Sequence, residues 1–286
     1  MKIALQTHNT APTEFVKANG IRFAYRRFGR TTGVPLLFMQ HFRGGMDHWD
    51  PAVTDGFAAN RPVILFDNAG VASSSGQTPT SVDAMAEHAA AFVSALHLSR
   101  IDLLGFSLGG MVAQVLALQH PNIVRRLMLV GTGPRGGHPS TDPNYVQYAT
   151  STDPSTGESG LDVFLYLFFS PSERGQAAGK AFWERRHGRK KDVDRPSSPQ
   201  TMAAQSATLE EWRQVRGERF AELKSITQPT LVVNGNNDVM IPTINSFMLS
   251  QHIPNAQLII YPDSGHASQF QHPDLFLLHA RTFLDG

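Results

Sequence analysis

In the stretch IDLLGFSLGGMVAQVLALQHP, a single serine, Ser107, stands between Gly105 and Gly109 where one apolar run stops and a second begins. A serine hydroxyl attacks a carbonyl only when a base takes its proton, and that base needs a group to orient it. A strained strand-to-helix turn of the form Gly-x-Ser-x-Gly lifts such a hydroxyl clear of a sheet edge. The flanking residues are small because the backbone there passes close to its neighbours. The pattern alone is weak, with about 0.1 chance matches expected at average glycine and serine frequencies. A glycine-rich turn at a helix start explains the same residues. With a serine elbow of this kind the partners are expected in the chain order serine, acid, histidine, each just after a strand. LVVNGNND puts Asp238 after one apolar run, and LIIYPDSGHAS puts His266 after the next. Loops at one sheet edge then converge where such sheets bind ligands.

The elements that must hold these residues are legible as short apolar runs at Ile21–Tyr25, Pro35–Gln40, Pro62–Phe66, Ile101–Gly105, Leu127–Val130, Thr230–Asn234 and Gln257–Tyr261. From the third onward they lack polar alternation, as strands covered on both faces do. Helical spacing fills several gaps between them: in SVDAMAEHAAAFVSALHL, Val82, Met85, Ala89, Val93 and Leu96 share a face behind a candidate N-cap, Ser81. The expected fold is α/β, a mostly parallel twisted sheet of about eight strands with helices on both faces. The alternation lapses between about Pro134 and Ser225, after the run Leu127–Val130. GPRGGHPSTDPNYV and STDPSTGESG read as loop, and LDVFLYLFF, SERGQAAGKAFWERRHGRK and SPQTMAAQSATLEEWRQV read as helices. Residues 134–224 are expected to form a helical insertion that splits one core into 1–133 and 225–286.

Composition narrows the chemistry. The 286 residues carry 25 basic and 24 acidic side chains, so no nucleic-acid or anionic-membrane surface is expected. With no cysteine, thiol nucleophiles and cysteine-ligated metals are excluded. Neither His-Glu-x-x-His nor a phosphate-loop pattern occurs, and no metal or cofactor is expected. MKIALQTHNTAPTEF has no apolar signal core, and no segment approaches the ~20 apolar residues of a membrane span. The expectation is a cytoplasmic protein without membrane insertion, acting on a small molecule. A homodimer stays open.

Taken together, GFSLGG, GNNDVMIP, PDSGHASQFQHPD and FDNAGVASSSG resemble four ordered motifs of the α/β-hydrolase family: nucleophile elbow, acid loop, histidine loop and an Asp-x-x-Gly-x-Gly-x-Ser turn. The resemblance runs from about Gly20 onward. It implies Ser107 as nucleophile, His266 as general base and acid, and Asp238 as orienting acid. It also implies a helical cap where the irregular insertion lies. The family's His-Gly-x-x-Gly loop is replaced by Gln40-His41-Phe42-Arg43-Gly44-Gly45. Aligning its last glycine with Gly44 assigns the oxyanion-binding N–H groups to Phe42 and Leu108. The implied activity is a serine esterase or lactonase without cofactor. Non-hydrolytic or C–C-cleaving chemistry on the same triad, and a small-molecule receptor using the same pocket, are the alternatives.

Other residues compete for roles. His41 and His48 flank the oxyanion loop as candidate pocket residues, and Arg43 is a candidate contact for an anionic substrate. Phe164, Tyr166, Phe168, Phe169 and Trp183 are candidates for an apolar roof, although each could equally pack the insertion onto the core. Of these, Phe164, Phe168 and Trp183 are taken as substrate contacts. Asp263 reads as a turn residue and Asp67 as structural. The basic run Arg185–Lys191 reads as a solvated helix end.

Overall fold

The computed structural model describes residues 6–152 and 159–286. Its strands are β1 (Glu14–Ala18), β2 (Ile21–Gly29), β3 (Leu36–Met39), β4 (Pro62–Phe66), β5 (Ile101–Phe106), β6 (Val124–Val130), β7 (Thr230–Gly235) and β8 (Ala256–Tyr261). They form one open sheet in the order β1-β2-β4-β3-β5-β6-β7-β8. β2 pairs antiparallel with both β1 and β4, and β3 to β8 run parallel. The expected α/β architecture is present. The sequence reading missed β1, an edge strand of sequence EFVKA with no fully buried residue and so no apolar run to reveal it.

Continuous apolar strands are explained by two cores, one on each face. Along β3, Leu36 and Phe38 pack on one side, and Leu37 and Met39 on the other. β5 divides the same way, with Leu104 and Phe106 against Ile101 and Leu103. Helices α1 (Pro51–Ala58), α9 (Ser268–Gln271) and α10 (Pro273–Asp285) cover the first face. Helices α2 (Val82–Ala95), α3 (Leu108–Gln119) and α8 (Ile244–His252) cover the second. The Ser81 hydroxyl accepts from the Ala84 N–H at 3.3 Å and caps α2 as expected.

Between β6 and β7 lie α4 (Tyr145–Thr150), α5 (Leu161–Phe168), α6 (Glu173–Arg186) and α7 (Pro199–Arg213). The last three match the expected helices; most of the STDPSTGESG segment lies outside the described residues. The reading of Arg185–Lys191 as a solvated end is corrected. Arg185 makes a two-pronged ion pair with buried Asp50 (2.8 and 2.6 Å), and Arg189 donates to the His8 and Ala11 carbonyls. Arg186 is buried over the Phe164 and Trp183 rings. A guanidinium presents five donors in a plane, which lets it satisfy buried acceptors that a charge count reads as a wet surface.

His8 is buried against Phe28, with Nδ1 3.0 Å from the Thr54 hydroxyl. Burial pushes it down to about 3, with Arg26 and Arg189 adding to the shift and Asp47 opposing it. The unfolded chain therefore binds a proton here that the folded chain refuses. Stability from this group is present above the ordinary histidine value and is lost on acidification toward the folded one. His8→Gln is expected to flatten the acid limb by up to about 1.4 kcal/mol per pH unit between about pH 6 and 4, read from urea midpoints across that range.

Candidate active site

The loops that follow β3, β5, β7 and β8 meet at the carboxyl edge of the sheet, and each carries part of the candidate site. Ser107 sits between β5 and α3 with φ 56° and ψ −120°, a left-handed conformation that side chains rarely adopt. The turn is held by its own backbone: the Ser107 N–H donates to the Val130 carbonyl (2.9 Å), and the Thr132 hydroxyl donates to the Ser107 carbonyl (2.8 Å). A Cβ on Gly105 would stand 2.4 Å from the Gly109 carbonyl oxygen, and one on Gly109 would stand 2.2 Å from that of Met39. Both glycines are therefore required by close approach, and the second presses the elbow against the end of β3.

Asp238 lies beyond β7 and His266 beyond β8, and the two side chains meet. His266 Nδ1 is 2.8 Å from Asp238 Oδ2, while Asp238 Oδ1 accepts the N–H groups of Met240 and Ile241 at 2.9 Å each. A carboxylate only accepts, so Nδ1 carries the hydrogen, and in the neutral ring Nε2 is the acceptor. Nε2 is buried with no hydrogen-bond partner among the described residues, Ser107 included. The imidazole lies 5.0 Å, ring to ring, from Phe106, which immediately precedes Ser107. The acid and histidine loops are tied together, with the Asn237 N–H donating to the Ser264 carbonyl (2.9 Å) and the Ser264 N–H to Asn236 Oδ1 (3.2 Å).

The loop after β3 is built around Gln40. Its Oε1 accepts the His41 N–H (3.0 Å), and its Nε2 donates to the Gly45 carbonyl. The Gly44 N–H closes a turn onto the His41 carbonyl at 3.1 Å. Having histidine where relatives of this pattern have glycine is compatible with the loop, because the left-handed residue is Arg43 (φ 65°) and not His41. Arg43 is held from the helical segment, its N–H donating to Gln205 Oε1 (2.6 Å) and its carbonyl accepting from the Ser197 hydroxyl (2.9 Å). Its guanidinium donates to the Ser151 carbonyl at 2.9 Å. Among the described residues, the N–H groups of Phe42 and Leu108 have no acceptor. Leu108 is also the first residue of α3, where the helix dipole favours negative charge.

Two cavities share Ser107, Phe42 and Met240. One is lined by His41, Arg43, His48, Val163, Phe164, Leu167 and Phe168; the other by Met111, Pro134, Tyr145, Leu209, Trp212 and Asn245. Ser107 is thus the junction of two largely apolar spaces. Trp183 lines neither: its ring sits 5.2 Å behind Phe164 and 4.5 Å from His187. Tyr166 also turns away, giving its hydroxyl to Asp142 and stacking on Tyr148, and Phe169 packs on Phe182. Asp263 is in a turn (φ 46°), accepting from the Ser172 hydroxyl at 2.7 Å.

Sequence reasoning missed a buried charge cluster behind the loop that follows β3. Arg26 on β2, fully buried, pairs with Asp47 and with Asp194 (3.0 Å). Asp47 and Asp194 each accept the other's backbone N–H at 2.7 Å, and Asp67 Oδ1 accepts the Met46 N–H at 3.0 Å. Burial and then the Asp47 carboxylate push Asp194 up to about 7, and burial and Asp194 drive Asp67 well above the usual range. Nothing local marks it, since Arg26 is one of three arginines in β2 and its partners lie 21 and 168 residues along the chain.

A family model described as alpha/beta hydrolase fold matches residues 34–273, and the chain belongs to that family. An α/β-hydrolase-fold protein from Chitinophaga pinensis superposes with a TM-score of 0.91 at 38% identity, covering 98% of this chain and 100% of that one. The pimeloyl-(acyl-carrier protein) methyl ester esterase of Nitrosomonas europaea is 32% identical over 189 residues, 62% of this chain and 69% of its own. The 2-hydroxymuconate semialdehyde hydrolase of Pseudomonas sp. strain CF600 is 28% identical over 272 residues, 93% of this chain and 92% of its own. These similarities support a hydrolase. Among the described residues, no helix is long and apolar enough to cross a membrane.

Proposed function

We propose that the chain is a serine hydrolase that needs no cofactor and cleaves a carboxylic ester or lactone of a small, largely apolar molecule. The observation that carries this reading is the 2.8 Å bond from His266 to Asp238, which fixes a basic Nε2 at the same sheet edge as a strained Ser107. Ser107 attacks the carbonyl carbon as His266 Nε2 takes its proton. Asp238 steadies the imidazolium, and the N–H groups of Phe42 and Leu108 hold the oxyanion; losing one such donor typically costs about 10²–10³ in rate. His266 then protonates the leaving oxygen. Next it deprotonates a water that attacks the acyl-enzyme, and its proton returns to Ser107 as the acid leaves. The two cavities on either side of Ser107 suit an acyl group and a leaving group. Residues 134–224 serve as a cap, a role supported by the wall of α5 residues beside Ser107.

The name of the Nitrosomonas europaea relative supports an ester substrate. A second reading, cleavage of a C–C bond on the same triad, is favoured by the name of the Pseudomonas relative, whose semialdehyde substrate names no ester. Turnover of a panel of short and medium acyl esters and lactones in ¹⁸O-water separates them. One ¹⁸O in each released acid is the expected result, with an alcohol as the co-product of an ester and a single hydroxy acid as the product of a lactone. Ester turnover that is absent, beside release of an acid and a ketone or aldehyde fragment from a diketone, would replace it with the second reading.

A further inference from the structure

We propose that His41 and His48 form a neutral acceptor–donor pair that reads a hydroxyl group on the substrate, so that the preferred substrates are hydroxylated, uncharged esters or lactones. The inference rests on the hydrolase reading of Ser107 and deepens it. Both rings line the cavity that contains Ser107, with centroids 5.5 Å apart and planes at 78°. His41 Nδ1 is 2.8 Å from the Phe42 carbonyl oxygen. That oxygen can only accept, so Nδ1 holds the hydrogen and Nε2 presents a lone pair. His48 Nδ1 is 3.1 Å from the Gly45 N–H, which can only donate, so the neutral His48 ring carries its hydrogen on Nε2.

The surroundings keep both rings neutral. Burial pushes His41 down to about 3, the Phe42 carbonyl opposing and His266, Arg186 and Arg43 reinforcing; His48 is driven well below its ordinary value by burial, Arg186, His41, Arg43 and His187. His41 is 4% exposed, and its Nε2 is buried with no hydrogen-bond partner among the described residues. At a pocket wall, an acceptor with no protein partner can take a hydrogen from a ligand. A hydroxyl matches both rings at once, donating to His41 Nε2 and accepting from His48 Nε2–H. A carboxylate has no hydrogen for His41, and an alkyl group serves neither. Arg43 lines the same cavity with its guanidinium donating to the Ser151 carbonyl at 2.9 Å, and the carboxylate ester in the test below reads whether it acts as an anion contact.

The test compares nitrophenyl esters of matched acids bearing a hydroxyl, a hydrogen or a carboxylate at one acyl carbon. For wild type, kcat/KM for the hydroxy ester is expected to exceed that of the other two by at least about tenfold. In His41→Phe and His48→Phe, the ratio of hydroxy to deoxy ester should fall toward 1. Because each ratio is read on one protein, a general loss of activity cancels. A wild-type ratio near 1, or an undiminished ratio in both variants, overturns the proposal. Ser107→Ala separates it from the underlying reading. Retained turnover there would defeat the hydrolase mechanism, whereas ¹⁵N spectra of its ring nitrogens still report binding. The hydroxy ester should move the His41 Nε2 resonance and the deoxy ester should not. Equal responses to the two overturn the pair.

Discussion

Replacing Ser107 with alanine lowers ester turnover by about 10⁴–10⁶ and abolishes covalent labelling by a fluorophosphonate. The size follows from the mechanism. On the proposed mechanism no acyl-enzyme would form without the hydroxyl, and what would remain is the stabilisation that the Phe42 and Leu108 amides give a water-derived oxyanion. The fold should survive, because the turn is held by backbone contacts to Val130 and Thr132 and the Ser107 side chain caps nothing. Mass spectrometry places the adduct: on Ser107 in wild type, absent in Ser107→Ala and weakened in His266→Ala. Wild-type activity in the alanine variant would end the proposed mechanism. A folded wild-type chain that takes no label would mean that the hydroxyl is unactivated or out of reach.

Replacing Arg26 with methionine costs about 3–5 kcal/mol of stability, because it leaves Asp47 and Asp194 as buried carboxylates that have lost their shared cation. The sign of its pH dependence is set by the same cluster. Asp194 already binds its proton more tightly when folded, at about 7. Without Arg26 that preference strengthens, so the penalty is largest above neutrality and shrinks as Asp194 takes up its proton below it. Urea unfolding of both proteins at pH 8 and pH 5.5 checks this, reading the difference between them at each pH. A penalty that stays under about 1 kcal/mol at pH 8 would show that the cluster is not a stabilising ion-pair network. Asp47 and Gly45 adjoin the loop of Phe42, so slower labelling of Ser107 in this variant is also expected.

How much of this was legible in the chain depended on how far the partners lay apart in sequence. Ser107 was legible through Gly105 and Gly109, because a close approach that excludes a side chain leaves glycine in the sequence whether the neighbour is local, as Gly109 is to Gly105, or distant, as Met39 is to Gly109. Asp238 and His266 were legible by their position just after apolar strands. β1 was not, since an exposed edge strand buries too little to leave a pattern. Arg185, Arg186 and Arg189 were misread as solvated, because neither a charge run nor a helix end shows that Asp50, two aromatic rings and two carbonyls wait on the other side. Phe164, Phe168 and Trp183 looked alike as roof candidates, and only the packing of α5 against α6 put the first two on the cavity and Trp183 behind them.

By itself the sequence determined the α/β layering, the order of serine, acid and histidine, and the place of the helical insertion. The layering follows from apolar periodicity and turn chemistry, which act between near neighbours; the order of the candidate residues and the cap rested on the resemblance to α/β hydrolases. Only the tertiary structure decided which histidine nitrogens keep their lone pairs, which arginines are buried, and that Ser107 joins two cavities. Those depend on the carbonyl, N–H or carboxylate that a distant segment brings within about 3 Å, the range over which hydrogen bonds act.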